Sequence, residues 1–302
     1  MIRTPKVLVT GWITLDTITG PKSCNRSVLG GGGAHSSLSS SFLAPTALVS
    51  TVGYDFPNSY FKLFTRKGID SSGVAVTDQK TTRWEGKYNK DLNKVTVTKV
   101  EFTDYETPVI PDHLRDLPFI YLAPTRPINQ IEYLSQMTNL RLSMLDTFFG
   151  DTVLYKDELK RTIGLVGIAT MNRFEANSLC KTTDAFEAAK RIHQLGPKYV
   201  IIKMGSDGAL LYDGETKVTV PTYTTDVVDP IGAGDSFGGG VISYLSLQNN
   251  INVETLFKAL VWGTTMASFN LEGLGSSKLF NLKHDRILER FSEMCRRTGL
   301  DF

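Results

Sequence analysis

The stretch that most limits what this chain can become is Asp229-Pro230-Ile231-Gly232-Ala233-Gly234-Asp235-Ser236-Phe237. It follows β-prone residues with a polar break (Val218-Thr219-Val220, then Val227-Val228). It leads into Gly238-Gly239-Gly240-Val241-Ile242-Ser243-Tyr244-Leu245, which reads as a buried helix. Pro230 fixes one backbone angle, and Gly232 and Gly234, on either side of Ala233, allow a sharp turn with no side chains in the way. Such a turn aims backbone N–H groups outward where a helix begins. A helix N-terminus carries partial positive charge, so this is a ready anion site. Asp235, in the first turn, would stand beside the bound anion. A carboxylate next to a phosphate cradle makes chemical sense when a hydroxyl must lose its proton as it attacks phosphorus. The same residues also read as an ordinary strand–turn–helix joint, with Asp235 as a helix-start residue.

The length, 302 residues, allows one large α/β domain or two smaller ones. Lys+Arg number 33 against 31 Asp+Glu, and a net charge of +2 gives no electrostatic case for nucleic acid or a membrane surface. Cys24, Cys180 and Cys295 are far apart and lack paired spacing. They fit free thiols in a reducing compartment better than disulfides or a zinc site. His35, His113, His193 and His284 show no metal-ligand spacing either. No apolar run approaches a membrane span and the N-terminus lacks a signal-peptide core, so a cytoplasmic location is expected.

Val7-Leu8-Val9-Thr10 reads as a buried first strand, with Asp16 just past its C-terminal end. Ligands collect at that end of open parallel sheets, and a carboxylate there accepts hydrogen bonds from hydroxyls. The run Gly30-Gly31-Gly32-Gly33-Ala34-His35-Ser36-Ser37 allows close backbone approach of a ligand before a small-residue helix from Leu38 to Leu43. It is not a dinucleotide fingerprint, because His35 and Ser36 stand where G-x-G-x-x-G needs glycine, and no P-loop motif occurs in the chain. This absence argues against a nicotinamide oxidoreductase.

Leu48 to Gly53 reads as a strand, with a helix after Asp55 that Gly68 closes. From Gly73 to Phe102 the pattern becomes an alternating hairpin, Thr81 to Tyr88 and Val95 to Phe102 around a polar turn at Asn89 to Lys94. Trp84 and Tyr88 on this flap either face a ligand or only pack the hairpin. Strand-like segments at Phe119 to Ala123, Leu142 to Leu145, Val166 to Ala169 and Val200 to Lys203 then alternate with helical patterns. That rhythm argues a parallel sheet with right-handed crossovers. Asn172 suits the N-cap of the helix containing Glu175, a carboxylate that can also hold hydrated Mg²⁺ through water. Lys203-Met204-Gly205-Ser206-Asp207-Gly208-Ala209 is a strand end and tight turn, passing beneath a nucleotide or forming a hairpin. Helices to about Leu247, from Val253 to Asn270 and from Asp285 to Arg297 complete one continuous domain.

Taken together, these pieces resemble the ribokinase/PfkB family of carbohydrate kinases over nearly the whole chain. Val227 to Phe237 looks like the family's D-T-x-G-A-G-D signature, and Gly30 to His35 like its G-G-x-G-A-N. Val52-Gly53-Tyr54-Asp55, Lys67-Gly68-Ile69-Asp70 and Asn172/Glu175 match its V-G-x-D, K-G-V-D and N-x-x-E pieces. The resemblance implies a doubly wound α/β fold over residues 1–302, mostly parallel, with lid strands within 12–20 and 73–102. It implies transfer of the ATP γ-phosphoryl group to a hydroxyl of a sugar or cyclitol such as inositol, with a nucleoside acceptor or a catalytically silent binding protein as the alternatives. Asp235 would be the general base, and the N–H groups of Gly232, Ala233 and Gly234 the anion hole. Asp16, Gly31, Gly32 and His35 would meet the acceptor, joined by Trp84 and Tyr88 of the flap. Lys203, Gly205, Ser206, Gly208 and Asn172 would lie along the nucleotide, with Glu175 near Mg²⁺. Asp229 and the Ile231 carbonyl match positions that bind a monovalent cation, such as K⁺, in some members. The lid would exclude water, and its exposed edge permits a homodimer. Two departures stand out: His35 replaces the usual Asn, and Pro230 the usual Thr.

Overall fold

The computed structural model describes residues 4–20, 24–89, 95–103 and 105–300. In chain order the strands of its first half are β1 (Val7–Thr10), β2 (Thr14–Thr19), β3 (Cys24–Gly30), β4 (Thr46–Gly53), β5 (Asp70–Thr77), β6 (Arg83–Tyr88) and β7 (Val95–Glu101). Then follow β8 (Phe119–Leu122), β9 (Leu142–Leu145), β10 (Ile168–Asn172), β11 (Tyr199–Lys203), β12 (Ala209–Tyr212) and β13 (Lys217–Val220). The helices are α1 (Gly32–Ser40), α2 (Asn58–Arg66), α3 (Pro127–Ser135), α4 (Asp151–Leu154), α5 (Lys156–Ile163) and α6 (Arg173–Cys180). The later ones are α7 (Ala185–His193), α8 (Ala233–Leu245), α9 (Val253–Leu271), α10 (Ser277–Phe280) and α11 (His284–Thr298). None of the described helices is long and apolar enough to cross a membrane.

Nine strands form the large sheet, in the order β13-β12-β11-β10-β9-β8-β1-β4-β5. Its pairs are parallel except β11–β12 and β12–β13. The period of two along each strand sorts side chains onto two faces. Val7, Val9, Phe119 and Tyr121 join one apolar cluster with α1, α8, α9 and α11. Leu8, Ile120 and Leu122 join the other, with α5, α6 and α7. Both faces are covered, which is why the central strands are continuously apolar rather than alternating. The chain leaves β1 toward β4 on one side and later enters β8 on the other, so the strand order reverses at β1/β8. An open α/β sheet leaves a crevice at that point, beyond the carboxyl ends of the strands.

A second sheet of four strands, β3-β2-β6-β7, stands apart from the first. It contains more than the expected hairpin. Cys24–Gly30 pairs antiparallel with β2, and β2 runs parallel to β6. The flap also starts later than Gly73: Asp70–Thr77 is the edge strand of the large sheet, parallel to β4. An edge strand half open to solvent has the same alternating look as a flap strand, so composition alone did not separate them. The expected turn at Asn89 to Lys94 falls largely outside the described residues.

Helix α1 begins at Gly32 rather than near Leu38, because the glycines are themselves its first turn. Glycine is a poor helix former, yet tertiary packing overrides propensity here. A Cβ on Gly33 would meet the Gly11 carbonyl oxygen at 2.7 Å, and one on Gly32 would meet Pro124 Cδ at 2.6 Å. The strand expected at Val166–Ala169 begins two residues later, at Ile168, and Val227–Val228 lies outside any strand.

Candidate active site

Two helices open on the crevice with their N-termini. Helix α1 follows Gly31 (φ 85°), and α8 follows Gly232 (φ 78°); neither has a side-chain cap. Among the first N–H groups, that of Gly33 donates to the Trp12 carbonyl (2.9 Å) and that of Ala233 to the Pro230 carbonyl (3.4 Å), while no side chain caps the others. Positive φ calls for glycine, and space does too. A Cβ on Gly31 would stand 2.3 Å from the Trp12 carbonyl oxygen, and one on Gly232 2.2 Å from the His35 ring. Backbone contact locks the two helices together. Ser36 donates to the Asp235 carbonyl (3.0 Å) and Ser39 to that of Ser236 (2.6 Å). A Cβ on Gly239 would collide with the Ser36 carbonyl oxygen (2.2 Å), and on the opposite side Gly240 rests on Gly263 of α9.

The first turn of α8 carries Asp235, whose carboxyl burial and the nearby Asp146 charge push up to about 6, with Lys203 opposing. The Lys203 ammonium lies beside Gly234 and pairs with Asp146 at 2.5 Å. Burial draws its pKa down, but Asp146, Glu175 and Asp235 outweigh burial and hold it above the ordinary lysine value. Asp146 is fully buried, directly after β9, and also accepts from the Tyr121 hydroxyl (2.8 Å). A fixed cation thus sits at the cradle among three carboxylates.

Asn172 caps α6 in a reciprocal box. Its Oδ1 accepts from the Glu175 N–H (2.9 Å), and Glu175 Oε2 accepts from the Asn172 N–H (2.9 Å) and from the Thr147 hydroxyl (2.8 Å). Burial pushes the Glu175 carboxyl up to about 7, opposed by Lys203. Asn172 and Glu175 border the same cleft, of about 1020 Å³, as Lys203, Gly205, Ser206 and Gly208. A hydrated Mg²⁺ fits this donor set, because that ion keeps its waters and needs few protein ligands.

Asp16, Gly31, Gly32, His35 and Trp84 also border this cleft. Asp16 is on β2 of the small sheet, not in a loop after β1, and Gly30 makes room for it: a Cβ there would lie 1.9 Å from Asp16 Oδ2. Burial raises its carboxyl to about 7; Thr14 pulls it down and Asp229 adds to the rise. Its Oδ1 has no protein partner. His35 Nδ1 lies 2.8 Å from Asn270 Oδ1, an acceptor, so the ring proton belongs on Nδ1. Burial lowers the histidine pKa, which leaves Nε2 as a lone-pair acceptor, also without a partner. An asparagine offers a donor and an acceptor on one amide; His35 divides these roles between its two nitrogens.

Tyr88 is a correction. It is buried and absent from the cleft lining, and its hydroxyl donates to Asp229. An aromatic at the end of a strand facing a ligand site gives no sequence sign of which neighbour its hydroxyl will find. Asp229 and Ile231 lie beneath the cradle. The Ile231 carbonyl accepts from Asn270 Nδ2 (2.7 Å), and the Ile231 N–H donates to Asp229 (3.0 Å). Sequence reasoning missed Asp146, although it ends a strand as Asp16 was thought to. It also missed Trp12, Phe102 and Phe148, which border the cleft with ring centroids 4.9, 5.7 and 6.0 Å apart.

A nine-stranded switch-point sheet, a four-stranded flap and two glycine-started helices on one cleft define a ribokinase-like fold. Residues 16–279 match the model of the pfkB family of carbohydrate kinases, and the chain belongs to that family. Its members are ATP-dependent phosphotransferases with an alcohol group as acceptor. A cytidine kinase of Thermococcus kodakarensis is 27% identical over 244 residues, covering 78% of this chain and 87% of that protein. A ribokinase of Lactococcus lactis is 26% identical over 301 residues, covering 92% and 96%. The crystal structure of a ribokinase from Thermotoga maritima shares the fold, with a TM-score of 0.78 over 95% of this chain and 99% of that one at 19% identity.

Proposed function

We propose that this kinase phosphorylates a hydroxyl of a small polyhydroxylated acceptor held between Asp16, His35 and the α1 N-terminus, within a single catalytic domain spanning 1–302. One observation carries the reading: Asp16 and His35, both on the cleft, each keep a buried polar atom with no protein partner. Each such atom costs about 1–3 kcal/mol until a ligand satisfies it. Acceptor hydroxyls are donors of the kind both require.

The triphosphate lies along Gly205, Ser206 and Gly208, with its γ-phosphoryl group at the α8 N-terminus. Asp235 takes the proton from the attacking hydroxyl as the new P–O bond forms and ADP leaves. The N–H groups of Gly232, Ala233 and Gly234, with Lys203, stabilise charge on the transferring phosphoryl. Mg²⁺, when bound, neutralises phosphate charge; Glu175 and Asn172 would hold it through water. The small sheet acts as a lid that excludes competing water.

A second reading, a nucleoside acceptor, is favoured by the Trp12, Phe102 and Phe148 rings. They come from the loop after β1, the end of the flap and the loop after β9, and offer flat apolar surface to a planar base. An ADP-release screen of free sugars, inositols and nucleosides with Mg-ATP tests both. Absence of acceptor-dependent ADP release from every class would sink the acceptor assignment. Turnover of nucleosides alone would select the second reading.

A further inference from the structure

The family resemblance points to Asp229 and the Ile231 carbonyl as ligands of a monovalent cation, and the residues present do not fit that role. Asp229 is fully buried, and both its oxygens are committed to the protein. Oδ1 accepts from the Ile231 N–H (3.0 Å) and from the Tyr88 hydroxyl; Oδ2 accepts from the Gly275 N–H (2.8 Å). The Ile231 carbonyl already accepts from Asn270. A cation site gathers several oxygens around one point in place of water. Here each of these oxygens faces a hydrogen-bond donor and Oδ1 faces two, so an ion at Oδ1 would have to displace the Tyr88 hydroxyl.

We propose that the Tyr88 hydroxyl takes the place of a monovalent cation at Asp229, which makes the kinase indifferent to K⁺ and ties the flap to the phosphate cradle. A buried carboxylate must be compensated, either by an ion or by several N–H and O–H dipoles. This chain uses dipoles from three places: its own loop, the segment after α9, and the flap. The tyrosine contribution is the one that crosses between the two sheets. Tyr88 closes β6, and Asp229 lies three residues before Gly232, where α8 turns its N–H groups outward. Burial and the Asp229 hydrogen bond hold the phenol well above its ordinary pKa, so it remains a donor throughout the working range. Tyr88 is thus a positioning residue. It acts through Asp229 on the loop that sets the cradle, without touching either substrate.

The test uses the wild-type enzyme and Tyr88→Phe. Wild-type kcat with the best acceptor from the screen is expected to be the same in K⁺, Na⁺ and tetramethylammonium chloride at equal ionic strength. Crystals soaked in Tl⁺ are expected to show no anomalous peak at Asp229. Tyr88→Phe is expected to lose roughly tenfold in kcat, the effect of removing one hydrogen bond to a buried charge, with KM for acceptor nearly unchanged. K⁺ is expected to recover part of that loss without raising Tm, a response that a merely structural role would not give. A severalfold K⁺ stimulation of the wild type, a Tl⁺ peak between Asp229 and the Ile231 carbonyl, or wild-type kcat in Tyr88→Phe would each overturn the proposal. If the variant fails to fold, the cation series and the Tl⁺ soak on the wild type decide alone. The Tl⁺ readout also stands apart from turnover, so it separates this idea from the acceptor assignment.

Discussion

Helices α1 and α8 both follow a glycine with positive φ, both lack a side-chain cap, and both start against the same cleft. They differ in the side chain that the first turn presents. Helix α8 carries Asp235 with Lys203 beside it, a carboxylate and a cation in one place. Helix α1 carries His35, kept neutral by burial, and shares the cleft with Asp16 of the flap strand β2. An uncapped helix start supplies attraction for negative or electron-rich groups, and the residue beside it decides whether that attraction serves reaction or grip. On the proposed function, the α8 end serves the chemistry and the α1 end the holding.

The sharpest way to break this division is Asp235→Asn. Removing a positioned base is expected to lower kcat by ~10²-fold or more while Tm and ATP affinity persist; steady-state turnover near wild type would end the assignment. Asp16→Asn, on β2, probes the α1 end of the comparison and should behave differently. KM for the acceptor is expected to rise about 10–100-fold, with kcat little affected, because the loss is in hydrogen bonds already made in the ground state.

Gly232→Ala probes the backbone rather than a side chain. A methyl group at φ 78° against the His35 ring is expected to cost about 2 kcal/mol of stability and roughly tenfold in kcat. Gly68→Ala, also at positive φ but with open space around it, serves as the control and should lose stability alone. Equal losses of kcat in both would show that crowding at His35 is irrelevant.

The smallest effects lie in pH. A protonated Asp235 cannot accept a proton, so kcat/KM is expected to fall as pH drops through about 6. Stability runs the other way. The Asp16 carboxyl is raised from 3.8 to about 7, so its contribution is present below about 4 and lost as pH rises through about 7. Urea midpoints measured across this window should decline with rising pH, and Asp16→Asn should flatten the decline.

The α8 end was legible in the sequence because its parts are consecutive: two glycines, a proline and a carboxylate within seven residues. The α1 end was only half legible. The glycine run was seen as a ligand approach, but its helical first turn depends on Gly11 and Pro124, which are distant in sequence. Asp146 follows the short strand Leu142-Ser143-Met144-Leu145 with no motif around it, and its role depends on where Lys203 lands from another strand. Cys24–Gly30 is too mixed in polarity to announce a strand; its pairing with Thr14–Thr19 supplies the order. The βα rhythm after Phe119 was clear because strands covered on both faces leave continuous apolar runs.

The glycine seam between α1, α8 and α9 has a consequence for how such a chain can change. Where glycine lets main chain touch main chain, the spacing between the two helix starts is a ruler with few adjustable marks, since it is the short hydroxyls of Ser36 and Ser39 that span the seam between α1 and α8. On the proposed function, new acceptors would be accommodated at Trp12, Trp84 and Phe102, which border the cleft on other elements, while the distance a phosphoryl group travels stays as it was.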